Sequence, residues 1–414
     1  MARFVAIPVG QGDAFYLERE NFSVLVDGGK GRSRFADLFM STVDRQSVNV
    51  IVCTHNDADH IRGLLGYLAS TLHCDELWLP AQWLTLISSV LHSPSHMLWQ
   101  LMGDIERFCE SYPALDGEAD APLDSMVNGK LFLSRQEERP RDTEPMEPLE
   151  NDIRWFQGER EGLSDSRTRY TWLTSLHRMR FVCGRYGRYG RYGSYRASVA
   201  GMRYFGTSPS GPALALYLEA LEDLRNIAEL LMLALQRNIP VRWFEFSPNS
   251  PGGGRKDLIP VNAREVVAAR SSNNTFTELC LSKSNRESLV FYSPADSSAP
   301  GVLFNADSNL KGIAGLSCFD FSSAIATVPH HGSEANANVY AIVNSQASVG
   351  VTWVRSDGKF RNRPCRDYIN MQAKRFCTLC RPGTAPYSHS VAMEFYSGTV
   401  VWLAPAGQAS CSCH

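Results

Sequence analysis

The chain has 414 residues, of which 44% are hydrophobic and 20% charged, and its formal net charge is -2. This is the composition of an ordinary globular protein, long enough for one large domain with insertions or for two domains. It excludes a polycationic surface spread over the whole chain, so any nucleic-acid surface must be local.

In chain order, residues 4–9, 14–17 and 22–26 predict short strands, separated by turn chemistry at Gly10-Gln11-Gly12-Asp13 and ended by Asp27-Gly28-Gly29. A helix over 34–42 leads to a buried strand at 48–53. The end of that strand carries Thr54-His55-Asn56-Asp57-Ala58-Asp59-His60, followed by helical spacing over 61–72. Regularity is lost from about 94 to 211, and a charged, Pro-containing stretch within it reads as a flexible insertion over about 136–200. A helix over 213–237 follows, then strands at 241–246, 275–281, 288–292, 302–305, 325–328, 349–354, 391–396 and 399–403. Short strands alternating with helices, with polar clusters at strand ends, predict a layered α/β fold.

The first residues lack the basic start and long apolar core of a secretory signal. The most apolar long stretch, 213–235, contains Glu219, Glu222, Asp223, Arg225 and Glu229, which makes it amphipathic rather than membrane-spanning. The expectation is a cytoplasmic protein without membrane contact, its eleven cysteines reduced.

The densest chemical signal is His55-x-Asp57-x-Asp59-His60, four metal-ligand types within six residues on one turn before a helix. A capped helix start would explain one carboxylate; two His and two Asp together point to metal. With Gly63 following, the segment resembles the metallo-β-lactamase motif His-x-His-x-Asp-His. Val9-Gly10-Gln11-Gly12-Asp13, Val26-Asp27-Gly28-Gly29, Leu303-Phe304-Asn305-Ala306-Asp307 and Val328-Pro329-His330-His331-Gly332-Ser333 fall in the order of that family's other landmarks. The wording most resembles the hydrolase domain of competence-type DNA-uptake proteins and a bacterial phosphorylcholine esterase. The resemblance covers 1–80 and about 240–404.

It implies an αββα sandwich over 1–404, interrupted by a central insertion at about 94–211, with 405–414 as a cysteine-containing tail. It also implies two divalent ions, Mn²⁺ or Zn²⁺ with Mg²⁺ as a third candidate. His55 and Asp57 would hold one ion and Asp59 and His60 the other, with Asp307 bridging and His330 as the late ligand. His331 would lie outside the ligand set or contact phosphate, and the two His could exchange these roles. Asp59, Asp307 and His331 are expected to serve the reaction, with Asp27 and Ser333 supporting the ligands. For Asp27 a simple turn carboxylate is the competing reading. One departure stands out: Ser247, before Pro248, occupies the place of a family His. Glu245, water or the insertion would have to replace that ligand, and a carboxylate-rich set favours manganese over zinc.

Two further features lie outside this motif. The repeat holding Arg185, Tyr186, Arg188, Tyr189, Arg191, Tyr192, Tyr195 and Arg196 offers cations and stacking faces suited to single-stranded nucleic acid, or is a plain low-complexity loop. Cys365, Cys377-x-x-Cys380 and Cys411-x-Cys413-His414 contain half of a structural zinc pattern. Because tails fray, independent thiols are the expectation there. The function expected is phosphodiester hydrolysis, first by a nuclease on single-stranded DNA or RNA. The alternatives are hydrolysis of a small phosphodiester, such as a cyclic nucleotide or phosphocholine ester, or an impaired scaffold working with a protein partner.

Overall fold

The computed structural model describes residues 1–84, 211–267, 285–357 apart from 298, 363–380 and most of 389–413, with isolated positions between 86 and 107. The Arg-Tyr-Gly repeat, the expected strand at 275–281, His414 and almost all of the expected insertion lie outside these residues.

The chain is mixed α/β. Its first part runs β1 (Ala2–Ala6), β2 (Phe15–Arg19), β3 (Phe22–Val26), α1 (Phe35–Val43), β4 (Ser47–Val52), α2 (Ala58–Ala69) and β5 (His73–Pro80). After the described break come α3 (Gly211–Gln236), β6 (Val241–Phe246), β7 (Ile259–Pro260) and β8 (Ala263–Val266). The remainder is β9 (Phe291–Ser293), β10 (Val302–Phe304), β11 (Ile325–Thr327), α4 (Asn338–Asn344), β12 (Thr352–Arg355), α5 (Arg366–Asn370), β13 (Lys374–Cys377) and β14 (Val391–Phe395). Among the described residues, eight strands form one sheet in the order β14-β1-β2-β3-β4-β5-β6-β8, and six form another in the order β13-β12-β11-β10-β9-β7. Each sheet has a parallel run, β3-β4-β5-β6 at the centre of the first and β10-β11-β12-β13 from the middle to one edge of the second.

Period-two alternation explains how both faces of each sheet are buried. On the first sheet, Phe4, Phe15, Leu17, Val24, Val50 and Phe244 face an apolar layer shared with Phe291, Val302, Phe304, Ile325 and Val354 of the second. The neighbouring residues Val5, Tyr16, Leu25, Ile51 and Trp243 point the other way, onto Phe39 of α1, Leu64 and Leu68 of α2 and Leu224 of α3. The second sheet repeats the device: Leu303, Ala326 and Trp353 turn outward onto Val339 and Tyr340 of α4 and Tyr368 of α5. Helices therefore cover each sheet's outer face, while the two inner faces pack on each other. Burying one such aromatic or branched side chain contributes roughly 1.5–3 kcal/mol, so the shared layer holds the two sheets face to face.

The parallel strands matter for function because their carboxyl ends carry the chemistry. Asp27 follows β3, Thr54 to His60 follow β4, Asp307 follows β10, and His330-His331 follow β11. One expected boundary is corrected here. The helix after β4 begins at Ala58, not at 61, so Asp59 and His60 lie on its first turn rather than on a loop before it. Asp57, with φ -58° and ψ 138°, is the residue at which the extended chain turns into that helix. Among the described residues, no helix is long and apolar enough to cross a membrane.

Candidate metal centre

The loop after β4 is held by backbone contacts that tolerate no side chain. A Cβ on Gly63 would lie 1.8 Å from the Gly28 carbonyl oxygen, and one on Gly12 would lie 1.8 Å from that of Asp59. Across these close approaches the Gly28 amide donates to the His60 carbonyl at 2.8 Å, and the Gly63 amide donates to that of Gly29 at 2.9 Å. The glycine in His-x-Asp-x-Asp-His-x-x-Gly is thus a packing requirement, pressing the first turn of α2 onto the turn after β3.

The side chains then converge. Nε2 of His60 lies 3.4 Å from Oδ1 of Asp307, Nε2 of His55 lies 3.7 Å from Asp307 Oδ2, and Nε2 of His331 lies 3.6 Å from Asp59 Oδ2. The rings of His55 and His60 meet at a tilt of 48°, with centroids 4.0 Å apart. His55, His60 and Asp307 form one group able to hold a cation, and Asp59, His60 and His331 form another that shares His60. Asp57 stands at the rim, its Oδ2 3.7 Å from His55 Nε2.

A second layer of residues sets the direction of each ring. His60 Nδ1 bonds Asp27 Oδ2 at 2.8 Å, and the Thr54 hydroxyl donates to the same carboxylate oxygen at 2.7 Å. Having given its proton to Asp27, that hydroxyl accepts from His55 Nδ1 at 2.9 Å. A single carboxylate therefore fixes two imidazoles with Nδ1 protonated and Nε2 facing inward. His331 is fixed independently, its Nδ1 on Asp13 Oδ1 at 3.0 Å. The outcome is a set of buried atoms, His55 Nε2, His60 Nε2 and Asp307 Oδ1, that make no hydrogen bond. Buried polar atoms without partners are costly, and a cation at their meeting point resolves that cost. On this ground the residues fit a divalent metal.

The electrostatics agree. Burial pushes the Asp307 carboxyl up, but His330, His60 and His55 outweigh it and hold the group well below its ordinary value. Burial pulls His60 down, yet Asp307 and Asp27 raise it well above an ordinary histidine, and Asp13 and Asp357 do the same for His331. The centre of the cluster favours positive charge, carried by ring protons or by a metal.

The late His pair divides. His331, expected outside the ligand set, brings its Nε2 into the group with Asp59 and His60. His330 lies beside the cluster with Nε2 3.4 Å from Asp307 Oδ2 and 3.1 Å from a guanidinium nitrogen of Arg363, while its Nδ1 meets Asn336 Oδ1 at 3.3 Å. Ser333 contributes its amide, which donates to the His330 carbonyl at 2.9 Å. The corners that aim these side chains are left-handed: Asp27, Ala306, His330 and His331 have φ of 58°, 47°, 45° and 53°.

Three participants had no individual role from sequence. In sequence Asp13 is part of a turn and of a family landmark without a role of its own, and Thr54 is part of the loop before α2. Asp223, in sequence one of the charges that make α3 amphipathic, is buried and accepts a hydrogen bond from Asn56 at 2.9 Å. Burial, with Asp57 nearby, pushes its carboxyl well above the ordinary range. Ser247 follows β6 and bonds Ser250 through its hydroxyl; among the described residues it joins neither cation group.

The cysteines bring a correction. Expected as independent thiols, Cys377, Cys380, Cys411 and Cys413 lie together with all four sulfurs within 4.8 Å of one another. The tail does not stray from the sheet here, because the Cys411 amide donates to the Arg375 carbonyl of β13 at 2.7 Å. Cys365 stays apart, its amide bonded to the Gly332 carbonyl.

Compared with known proteins, the chain matches no family model and no curated relative.

Proposed function

We propose that the chain is a metal-dependent hydrolase of metallo-β-lactamase architecture that cleaves phosphodiesters, with single-stranded DNA or RNA as the leading substrate class. The observation that carries this reading is the convergence of buried, inward-facing His55, His60 and Asp307 atoms that lack hydrogen-bond partners, beside Asp59 and His331. The layering of helices, sheet, sheet and helices, with the cluster at the carboxyl ends of parallel strands in both sheets, supports the architecture.

His55, His60, His331, Asp59 and Asp307 would hold the metal, with Asp57 at the rim. When bound, divalent ions supply Lewis acidity and an activated water at neutral pH. The protein's own groups do the rest. Asp27 and Asp13 keep three imidazoles in one tautomer, so no ring has to turn during turnover. Arg363, against His330 at the edge of the cluster, supplies a fixed positive charge where an anionic phosphoryl oxygen would approach. Three imidazoles with two carboxylates form a mixed donor set that suits zinc as well as manganese.

The test is incubation of the full chain with labelled single- and double-stranded DNA and RNA and with a chromogenic small phosphodiester, under Mn²⁺, Mg²⁺ and Zn²⁺ in parallel. Metal-dependent cleavage that is lost in Asp59→Ala is expected. Cleavage of the small ester alone assigns the small-substrate alternative. A metal-loaded protein that cleaves none of them would sink the hydrolase reading in favour of a scaffold, which Ser247's engagement with Ser250 would then help explain.

A further inference from the structure

The four cysteines form a second constellation, with a chemistry unlike the first. Cys377 ends β13, Cys380 follows in a tight turn closed by the Cys380 amide on the Cys377 carbonyl at 3.2 Å, and Cys411 and Cys413 arrive from the tail. Cys377, Cys380 and Cys411 are buried and unpaired by disulfides, as is the half-buried Cys413. The sulfur separations are 3.4 Å for Cys380–Cys413, 3.8 Å for Cys380–Cys411 and 3.8 Å for Cys413–Cys377. Four sulfurs placed tetrahedrally at the zinc–thiolate distance of about 2.3 Å would stand about 3.8 Å apart.

The surroundings are those of thiolates rather than of an apolar thiol core. The Leu379 amide points at Cys377 Sγ at 3.4 Å, the Ser412 amide points at Cys380 Sγ at 3.3 Å, and the Arg355 guanidinium lies 3.7 Å from Cys377 Sγ. Amide and guanidinium donors aimed at sulfur stabilise negative charge there. We infer that Cys377, Cys380, Cys411 and Cys413 bind one structural zinc ion that fastens the tail to β13. On binding, the thiols release their protons to solvent, and the donors from Leu379, Ser412 and Arg355 offset the excess negative charge left on the cluster. No coordination position stays open for substrate, so the ion is a staple and takes no part in hydrolysis. The inference is independent of the proposed reaction. Arg355 links the two clusters, its Nε donating to the His331 carbonyl at 2.7 Å.

The experiment uses the full chain purified without chelators, with elemental analysis before and after cobalt exchange. The Asp307→Ala protein, stripped of metal at the His/Asp cluster, is expected to retain one zinc per chain and to show an intense thiolate-to-cobalt charge-transfer band after exchange. In Cys380→Ser the band should vanish, zinc should fall by one equivalent, and Tm should drop by more than about 5 °C. If that variant fails to fold, titration of the wild-type chain with an organomercurial should release one zinc per four thiols. Recovery of these cysteines as two disulfides, their rapid alkylation in the native protein, or iron in place of zinc would each overturn the assignment.

Discussion

The two clusters stand on opposite sides of Arg355 and use different donors. The His/Asp cluster combines nitrogen and oxygen donors, and its carboxylates Asp57 and Asp59 keep side-chain exposures of 15% and 20%, so it opens toward solvent. The cysteine cluster presents four soft sulfurs, three of them on buried residues. Donor softness and the presence of an open side separate a centre that can meet a substrate from one that only holds the fold together. The supporting shells differ in the same sense. Carboxylates behind the imidazoles make them better donors, whereas amides and a guanidinium behind the sulfurs spread their charge.

The largest expected effect breaks the comparison on one side only. Asp307→Ala removes the carboxylate shared by His55 and His60, so turnover should fall by at least about 10³-fold, several kcal/mol at tenfold per 1.4 kcal/mol. Kinetics and metal content measured on one preparation check this. A folded variant with near wild-type turnover would remove Asp307 from the centre. Gly63→Ala comes next. Its Cβ would strike the Gly28 carbonyl at 1.8 Å, and the backbone shift should cost about 3 kcal/mol, read from the urea midpoint. Wild-type stability would show that the first turn of α2 is not pressed onto the β3 turn.

Asp27→Asn sharpens the contrast between donors and their support. It keeps the shape but loses the charge that orients His60 directly and His55 through Thr54, and metal affinity at the His/Asp cluster should weaken about 10–100-fold. Titration with a fluorescent competitor measures the loss, and the cysteine-bound ion should be untouched.

Asp223→Asn has the smallest effect and depends on pH. Burial and Asp57 raise the Asp223 carboxyl in the folded chain, so the ionised form costs stability, and that cost grows as pH rises past the unfolded-state value of 3.8. The variant should therefore be more stable than wild type at pH 7, with the gain shrinking toward zero as pH falls to 3.8. Denaturant midpoints at several pH values, in metal-free protein, check the sign. A gain that grows on acidification would contradict it.

Much of this was legible from the chain alone. Apolar alternation marked β3, β4 and β6 closely, and the density of His and Asp after β4 marked the segment whose His55, Asp59 and His60 converge with Asp307 and His331. What escaped depends on partners remote in sequence. Nothing near Asp13 announces His331, and nothing near Asp223 announces Asn56. The four-cysteine cluster is hidden in the sequence because a tail ordinarily frays, whereas here the Cys411 amide donates to the Arg375 carbonyl of β13. His330 and His331 are adjacent and chemically identical, so only their backbone directions could tell them apart.

Those directions have a cost of their own. A left-handed conformation at a residue other than glycine is disfavoured by roughly 1–2 kcal/mol, and four such corners at Asp27, Ala306, His330 and His331 surround one point. Against a net stability of about 5–15 kcal/mol for a typical domain, that is a large fraction tied up in aim rather than in cohesion. A glycine at Ala306 would relax its corner while loosening the carboxylate beside it, so a search that rewards thermal tolerance alone should drift toward a sturdier protein with a blunted centre.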